Sequence, residues 1–181
     1  MMRHIYLIGY RGSGKTSAGK VLARLLGWPV LDSDDGIETV AGRTIREIFE
    51  TDGENCFRDL ETKAIQSLSI SSNPHVISLG GGAILRKENV ETIRQSGRMV
   101  WLKASASNLY ARIHGDGATA DRRPALTNLA GLDEIHKILA ARSPIYESVA
   151  AYSVETDGRS TQEIAEEIFR WYKQQESKET R

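Results

Sequence analysis

Apolar positions along the chain fall into two alternating kinds of segment. Short, mostly apolar runs bounded by turn-forming residues occur at His4–Ile8, Pro29–Asp32, His75–Leu79, Met99–Leu102 and Tyr152–Glu155. Runs of this kind suit strands buried on both faces. Between them, apolar residues recur at helical spacing: Val21, Leu22, Leu25 and Leu26; Ile45, Ile48 and Phe49; Phe57, Leu60, Ala64, Ile65 and Leu68; Ile135, Ile138 and Leu139; Ile164 and Ile168. Each set lines one face of a helix. The alternation predicts a three-layer α/β/α architecture, with a central parallel five-stranded sheet covered by helices on both sides. Right-handed crossovers then gather the functional loops at the carboxyl ends of the strands.

Two segments break the pattern. His114 to Asn128 holds Gly115, Asp116, Gly117, Asp121, Arg122, Arg123 and Pro124, a polar stretch too irregular for a core element. A loop of this length in a compact domain reads as a mobile lid, over about 114–128. The polar end from Gln174 to Arg181 reads as a frayed tail. No internal repeat divides the rest, so residues 1–181 are expected to form a single domain.

Composition removes several classes of function. The 181 residues carry 24 Lys+Arg and 24 Asp+Glu, a net charge of zero. Without a basic excess there is little counterion release to gain, so no nucleic-acid partner is expected. The run Ile5-Tyr6-Leu7-Ile8 is too short for a membrane span or a signal-peptide core, so no membrane partner is expected. Cys56 is the sole cysteine, which leaves no intrachain disulfide and no cysteine-built zinc site. A reducing, cytoplasmic setting is the natural reading.

The most specific chemistry lies at the end of the first strand. Gly9-Tyr10-Arg11-Gly12-Ser13-Gly14-Lys15-Thr16 fits G-x-x-x-x-G-K-S/T, with a strand before it and a helix after. Glycines let the backbone curl until several N–H groups face one cavity. The following helix aims its positive end at the same point. Lys15 adds a full charge for the β- and γ-phosphates, and Thr16 a hydroxyl for Mg²⁺. The motif therefore points to a nucleoside triphosphate and leaves open what happens to its last phosphate.

Other residues bear on that question. Asp32 and Asp34 follow the second strand and share one face of an extended chain. Carboxylates there can hold the waters of Mg²⁺ or accept a proton from a substrate hydroxyl; alternatively, Ser33 or Asp34 caps the next helix. Arg58 sits in a helical pattern, where pairing with Glu54 or Glu61 on an exposed face is the plain alternative to ligand binding. Arg142 precedes Ser143-Pro144 and reads as the end of a helix, where a cation suits the macrodipole. Gly80-Gly81-Gly82 follows the third strand. Three consecutive glycines cost backbone entropy, and close approach to a ligand is the usual compensation.

Together these blocks resemble the shikimate kinase family, a nucleoside-monophosphate-kinase-like group of P-loop proteins. The resemblance spans about residues 4–172. It rests on Gly9 to Gly19, Leu31 to Asp34, Gly42 to Phe49, Gly53 to Arg58 with Glu61, Leu79 to Ala83, Arg123-Pro124-Ala125-Leu126 and Arg142 to Tyr146. It implies a P-loop kinase fold, transfer of the ATP γ-phosphoryl group to the 3-hydroxyl of shikimate in chorismate and aromatic amino-acid biosynthesis, and dependence on Mg²⁺. Carried over position by position, Gly12, Ser13, Gly14, Lys15, Thr16 and Ser17 would hold the phosphates, with Thr16 on Mg²⁺ and Asp32 near it through water. Asp34 would bind substrate hydroxyls and act as base. Arg58 and Arg142 would grip the substrate carboxylate beside Gly80, Gly81 and Gly82, with the substrate-binding helical region at about 33–61. Arg123 would swing in on the lid toward the phosphates, and Arg159 lies in the region that lines adenine. The resemblance also implies a monomer. The stretch from Arg112 to Arg123 is longer than is common in the family, so no role carries over to Arg112.

Rival readings have distinct signatures. Against a kinase of another small hydroxy acid, such as gluconate, stand Arg58 with Arg142 and the triple glycine. A GTPase would carry an Asn-Lys-x-Asp string, which is absent. A non-catalytic nucleotide-binding module would lack the paired aspartates and the lid arginine.

Overall fold

A computed structural model describes residues 4–115 and 131–179. Their strands and helices run in the order β1 (His4–Ile8), α1 (Lys15–Leu26), β2 (Val30–Asp32), α2 (Ser33–Ala41), α3 (Ile45–Ser69), β3 (His75–Ser78), a 3₁₀ turn (Ala83–Leu85), α4 (Lys87–Ser96), β4 (Gly97–Lys103), α5 (Ala106–Gly115), α6 (Leu132–Val149), β5 (Tyr152–Glu155) and α7 (Thr161–Glu179). The five strands form one sheet in the order β2-β3-β1-β4-β5, and every pairing is parallel. The expected sheet is therefore observed, with strand ends shifted by at most two residues.

Strand alternation divides the core into two layers. Ile5 and Leu7 of β1, Val100 and Leu102 of β4 and Val154 of β5 pack with Leu22 of α1 and Ile164 and Ile168 of α7. Tyr6, Ile8, Ile77, Met99 and Trp101 face the other way, against Ile65 of α3, Ile93 of α4 and Tyr146 of α6. Each fully buried aliphatic or aromatic side chain contributes about 1.5–3 kcal/mol. The polar hydroxyl of Tyr6 is carried inside by a 2.7 Å hydrogen bond with Ser96 Oγ.

The strand order positions the site. From β1 the chain passes to β2, beyond β3; from β3 it crosses to β4, on the far side of β1. Connections that leave two adjacent strands in opposite directions open a crevice at their carboxyl ends. The loop of Gly9–Gly14 and the turn of Gly80–Gly82 are the walls of that crevice.

Three expectations change. Gln174 to Glu179 is the last part of α7 and not a frayed tail; Lys173 pairs with Glu176 at 2.8 Å, and Ser177 Oγ bonds the Lys173 carbonyl. His114 and Gly115 close α5 rather than open a loop, with His114 stacked near Tyr110 one turn earlier. The other lid residues, from Asp116 to Asn128, lie outside the described residues. Arg142 does not end a helix: α6 continues through Pro144 to Val149. Proline removes one helical hydrogen bond, but burial of Tyr146, with Ile145 and Val149 packed beside it, outweighs that loss.

Helices α2 and α3 form an outlying pair around Ile37, Ile45, Ile48, Phe57 and Ala64. Thr44 and Glu47 form a capping box at the start of α3. Gly53, at φ 78° and ψ −179°, breaks α3 into two arms. A Cβ there would meet no atom within 4 Å, so only the backbone demands glycine. We expect Gly53→Ala to lower stability by about 1–3 kcal/mol, or roughly 2–4 °C of Tm per kcal/mol at this size. Thermal unfolding checks this; a raised Tm, as helix propensity alone would give, contradicts it.

Candidate active site

A cleft of about 850 Å³ opens at the carboxyl ends of β1 and β3. Residues Arg11 to Ala18 line it on one side, Asp32 and Asp34 beside them, and Ser78, Gly80 and Gly81 on the other. Arg112, Arg159 and Thr161 line its outer part. Gly12, Ser13, Gly14, Lys15, Thr16 and Ser17 thus share one cavity with Asp32, Asp34, Gly80, Gly81 and Arg159. Gly82 completes the glycine turn, with Arg58 against it and Arg142 on the Gly81 carbonyl. Arg123 lies outside the described residues.

The cradle is preformed. Lys15 is buried at the start of α1, and its Nζ donates to the carbonyls of Gly9 at 2.9 Å and Tyr10 at 2.8 Å. The ammonium therefore bridges the mouth of its own loop. The ring of Tyr10 is clamped among Leu109 and Ile113 of α5 and Ile135 and Ile138 of α6. Burial pushes the Tyr10 phenol pKa up, with Glu134 adding to the rise and Arg11 opposing it.

The carboxylates are arranged for a cation. Asp32 is the N-cap of α2, accepting from the Asp34 N–H at 3.0 Å. The cap is thus Asp32, and neither Ser33 nor Asp34. Its other oxygen accepts from Thr16 Oγ1 at 3.1 Å, with Ser78 Oγ 3.4 Å from the same hydroxyl. Burial, followed by the charge of Asp34, raises the Asp32 pKa above the usual carboxylate range. Two carboxylates and two hydroxyls at the end of a phosphate loop are hard oxygen donors that suit Mg²⁺. Among the described residues no group of three or more His, Cys, Asp or Glu side chains could cage a metal. An ion held by phosphates, waters and one or two protein oxygens fits that set.

The glycine turn is fixed from three sides. Gly80 N–H donates to Ser33 Oγ at 3.0 Å. The Gly81 carbonyl accepts from Tyr146 Oη at 2.5 Å and from Arg142 Nη1 at 3.1 Å. Gly82 packs flat on Arg58: a Cβ there would lie 2.5 Å from Nη1. A side chain at position 82 would have to displace the Arg58 guanidinium, which Glu61 and Glu54 hold in place. Arg58 is not on an exposed face, being 7% exposed. It does pair within its helix, with Glu61 at 2.7 Å and Glu54 at 3.1 Å. Burial pulls the Arg58 pKa down, but the two glutamates outweigh it and the net shift is upward. Glu61 is itself fully buried, so the pair fixes the guanidinium behind Gly82.

The structure also brings in residues to which sequence reasoning gave no ligand role, and it shows how the expected Arg159 is held. Arg112 of α5 enters the cleft and holds Thr156 through its hydroxyl at 3.0 Å and its carbonyl at 2.8 Å. Its Nη1 lies 3.5 Å from the Gly12 carbonyl. Its position three after Leu109 on the same helix was the available signal. Arg159 is braced by the Glu155 and Glu163 carbonyls and by Glu167. Ser33 and Tyr146 are further supports whose signal lay only in their neighbours.

Known proteins resemble this chain in sequence and in fold. A sequence model of the family described as "Shikimate kinase" matches residues 11–173. A shikimate kinase of Rhodopirellula baltica is 45% identical over 169 residues, covering 93% of this chain and 89% of that protein. One of Symbiobacterium thermophilum is 41% identical, covering 92% and 94%. A solved shikimate kinase of Acinetobacter baumannii in complex with shikimate superposes with a TM-score of 0.89 at 34% identity, covering 97% of this chain and 95% of that one. A gluconokinase of Sinorhizobium meliloti, at 21% identity and a TM-score of 0.62, shares the fold alone. With the family model spanning most of the chain and relatives this similar over nearly all of it, the chain belongs to the shikimate kinase family.

Proposed function

We propose that this chain transfers the γ-phosphoryl group of ATP to the 3-hydroxyl of shikimate, giving shikimate 3-phosphate and ADP. The observation that carries this reading is the convergence of two guanidinium groups, Arg58 and Arg142, on the Gly81-Gly82 turn across the crevice from the phosphate cradle. A small acid held there by its carboxylate would bring a ring hydroxyl toward Lys15. Arginine suits the task because its planar fork matches a carboxylate with two parallel hydrogen bonds.

Residue roles follow from chemistry. Backbone N–H groups of Gly12 to Ser17 and the start of α1 hold the phosphates, and Lys15 leaves its loop carbonyls for the transferred group. Thr16 would hold Mg²⁺, with Asp32 reaching it through water; the ion neutralises charge on the β- and γ-phosphates when bound. Asp34, beside the cradle, accepts the proton of the acceptor hydroxyl. Arg123 and the lid around it would complete the enclosure and exclude water from the γ-phosphate, and Arg159 and Arg112 border the base. Phosphoryl transfer depends on positioning and charge neutralisation more than on covalent chemistry, and these residues supply both. Among the described residues no helix is long and apolar enough to cross a membrane. A monomer acting in the cytoplasm, on small molecules and not on nucleic acid or membranes, is the setting we propose.

An ADP-release assay with shikimate, quinate and gluconate tests the reading. Shikimate is expected to stimulate turnover most, and no stimulation by shikimate rejects the assignment.

Asp34→Asn is expected to lower kcat by about 10²–10⁴-fold, the usual worth of a positioned base, with unchanged circular dichroism. Near-wild-type turnover removes the base role.

Arg58→Lys is expected to raise KM for shikimate while nucleotide binding is retained, since lysine lacks the two-pronged contact; an unchanged KM contradicts the clamp. The variant also leaves Glu61 buried with a poorer partner, so its Tm is expected to fall.

Asp32 gives a pH signature. Its folded pKa is raised, so its ionised form destabilises the fold at neutral pH, and this penalty vanishes as pH falls below the ordinary carboxylate value. Asparagine retains the cap without the charge. Nucleotide-free Asp32→Asn is therefore expected to melt above wild type at pH 7, with the gap closing toward acid. A gap that is reversed or independent of pH contradicts this account.

A further inference from the structure

The cradle holds a cation that the reading above leaves unused. Arg11 lies between Gly9 and Gly12 in the phosphate loop and lines the cleft. Its backbone nitrogen is 3.6 Å from where a Cβ on Gly81 would stand, so it sits where the cradle meets the glycine turn. Arg112 and Arg159, which line the same cleft, spend their donors on Thr156 and on the carbonyls of Glu155 and Glu163. Arg11 is held differently. Its Nε is buried without a hydrogen-bond acceptor, while the rest of the part-exposed guanidinium acts on the neighbouring Tyr10 hydroxyl and opposes the rise of its pKa. Its guanidinium reaches Glu134 of α6 at 3.6 Å, beyond hydrogen-bond distance, and lies 5.9 Å from the Tyr10 ring centre.

A buried donor without an acceptor is costly, and in a ligand cleft an arriving acceptor is one way that cost is met. The acceptor must be an anion, because the donor is a guanidinium. Glu134 is only 4% exposed, at the start of α6, where the helix end favours a carboxylate. It is well placed to hold Arg11 loosely against α6 until a stronger anion enters the loop.

We propose that Arg11 is a catalytic residue that donates to the γ-phosphoryl group, and that Glu134 is its positioning residue. The guanidinium exchanges its long contact with Glu134 for hydrogen bonds to a phosphoryl oxygen. It thereby reads whether the nucleotide carries a third phosphate. Because α6 also carries Arg142 and Tyr146, which hold Gly81, the exchange takes place on the same helix that fixes the acid-side turn. This inference rests on the phosphoryl-transfer reading of the cleft.

Calorimetric titration with Mg·ADP and with a non-hydrolysable Mg·triphosphate analogue, alongside turnover with shikimate, tests it. For Arg11→Ala we expect a loss of tenfold or more in triphosphate affinity and in kcat, with ADP affinity within twofold of wild type. Arg11→Lys should recover part of both, since a phosphate accepts a point charge. Glu134→Gln should raise the ratio of triphosphate to diphosphate affinity, and should have no such effect when Arg11 is already alanine.

Equal losses for ADP and triphosphate in both Arg11 variants would overturn the proposal, leaving Arg11 a support for the loop. A rise confined to KM for shikimate would also overturn it, by assigning Arg11 to the acid. An unchanged ratio in Glu134→Gln overturns the positioning role. Wild-type turnover of shikimate without triphosphate discrimination by Arg11 defeats this inference alone. Discrimination by Arg11 without turnover of shikimate defeats the proposed reaction and leaves the inference standing.

Discussion

Two adjacent parallel strands whose chains leave in opposite directions govern this molecule. β1 ends in a loop that curls around Lys15, and β3 ends in three glycines backed by Arg58 and Arg142. Because the strands are hydrogen-bonded neighbours, their loops face each other across a single crevice. The proposed triphosphate site and the proposed site for a small acid thus follow from one topological fact.

Charge explains how the crevice is held ready before any ligand enters. Lys15 rests on its own loop carbonyls, Arg58 on a buried glutamate, and Asp32 on a helix N-terminus and a threonine hydroxyl. Each arrangement keeps a charge desolvated at a cost that the fold sustains through partners on rigid elements. At Asp32, burial and the charge of Asp34 raise the carboxyl pKa, against the hydrogen bonds from Asp34 N–H and Thr16. Preorganisation of this kind removes reorganisation cost from the moment of transfer.

Much of this was legible in the sequence, for identifiable reasons. The five strands are short apolar runs bracketed by turn residues, and such runs tolerate little displacement. The phosphate loop is legible because its glycines, lysine and threonine must stand at fixed offsets. What escaped was information held by tertiary neighbours. α4 and α5 bury few side chains, chiefly Val90, Ile93, Leu109 and Ile113, so their periodicity is thin. A glutamate three residues from Arg58 reads the same on a surface as in a core, and only packing against Gly82 settles the matter. Pro144 signals a helix end by local rules, yet the buried face of Tyr146 carries α6 past it.

The central claim is that guanidinium groups behind the glycine turn capture a carboxylate next to the phosphate cradle. Calorimetric titration of shikimate and of its methyl ester addresses it directly, since the ester keeps the ring and hydroxyls but loses the anion. The account predicts at least tenfold weaker binding of the ester, about 1.4 kcal/mol or more. Equal affinity for acid and ester would contradict it.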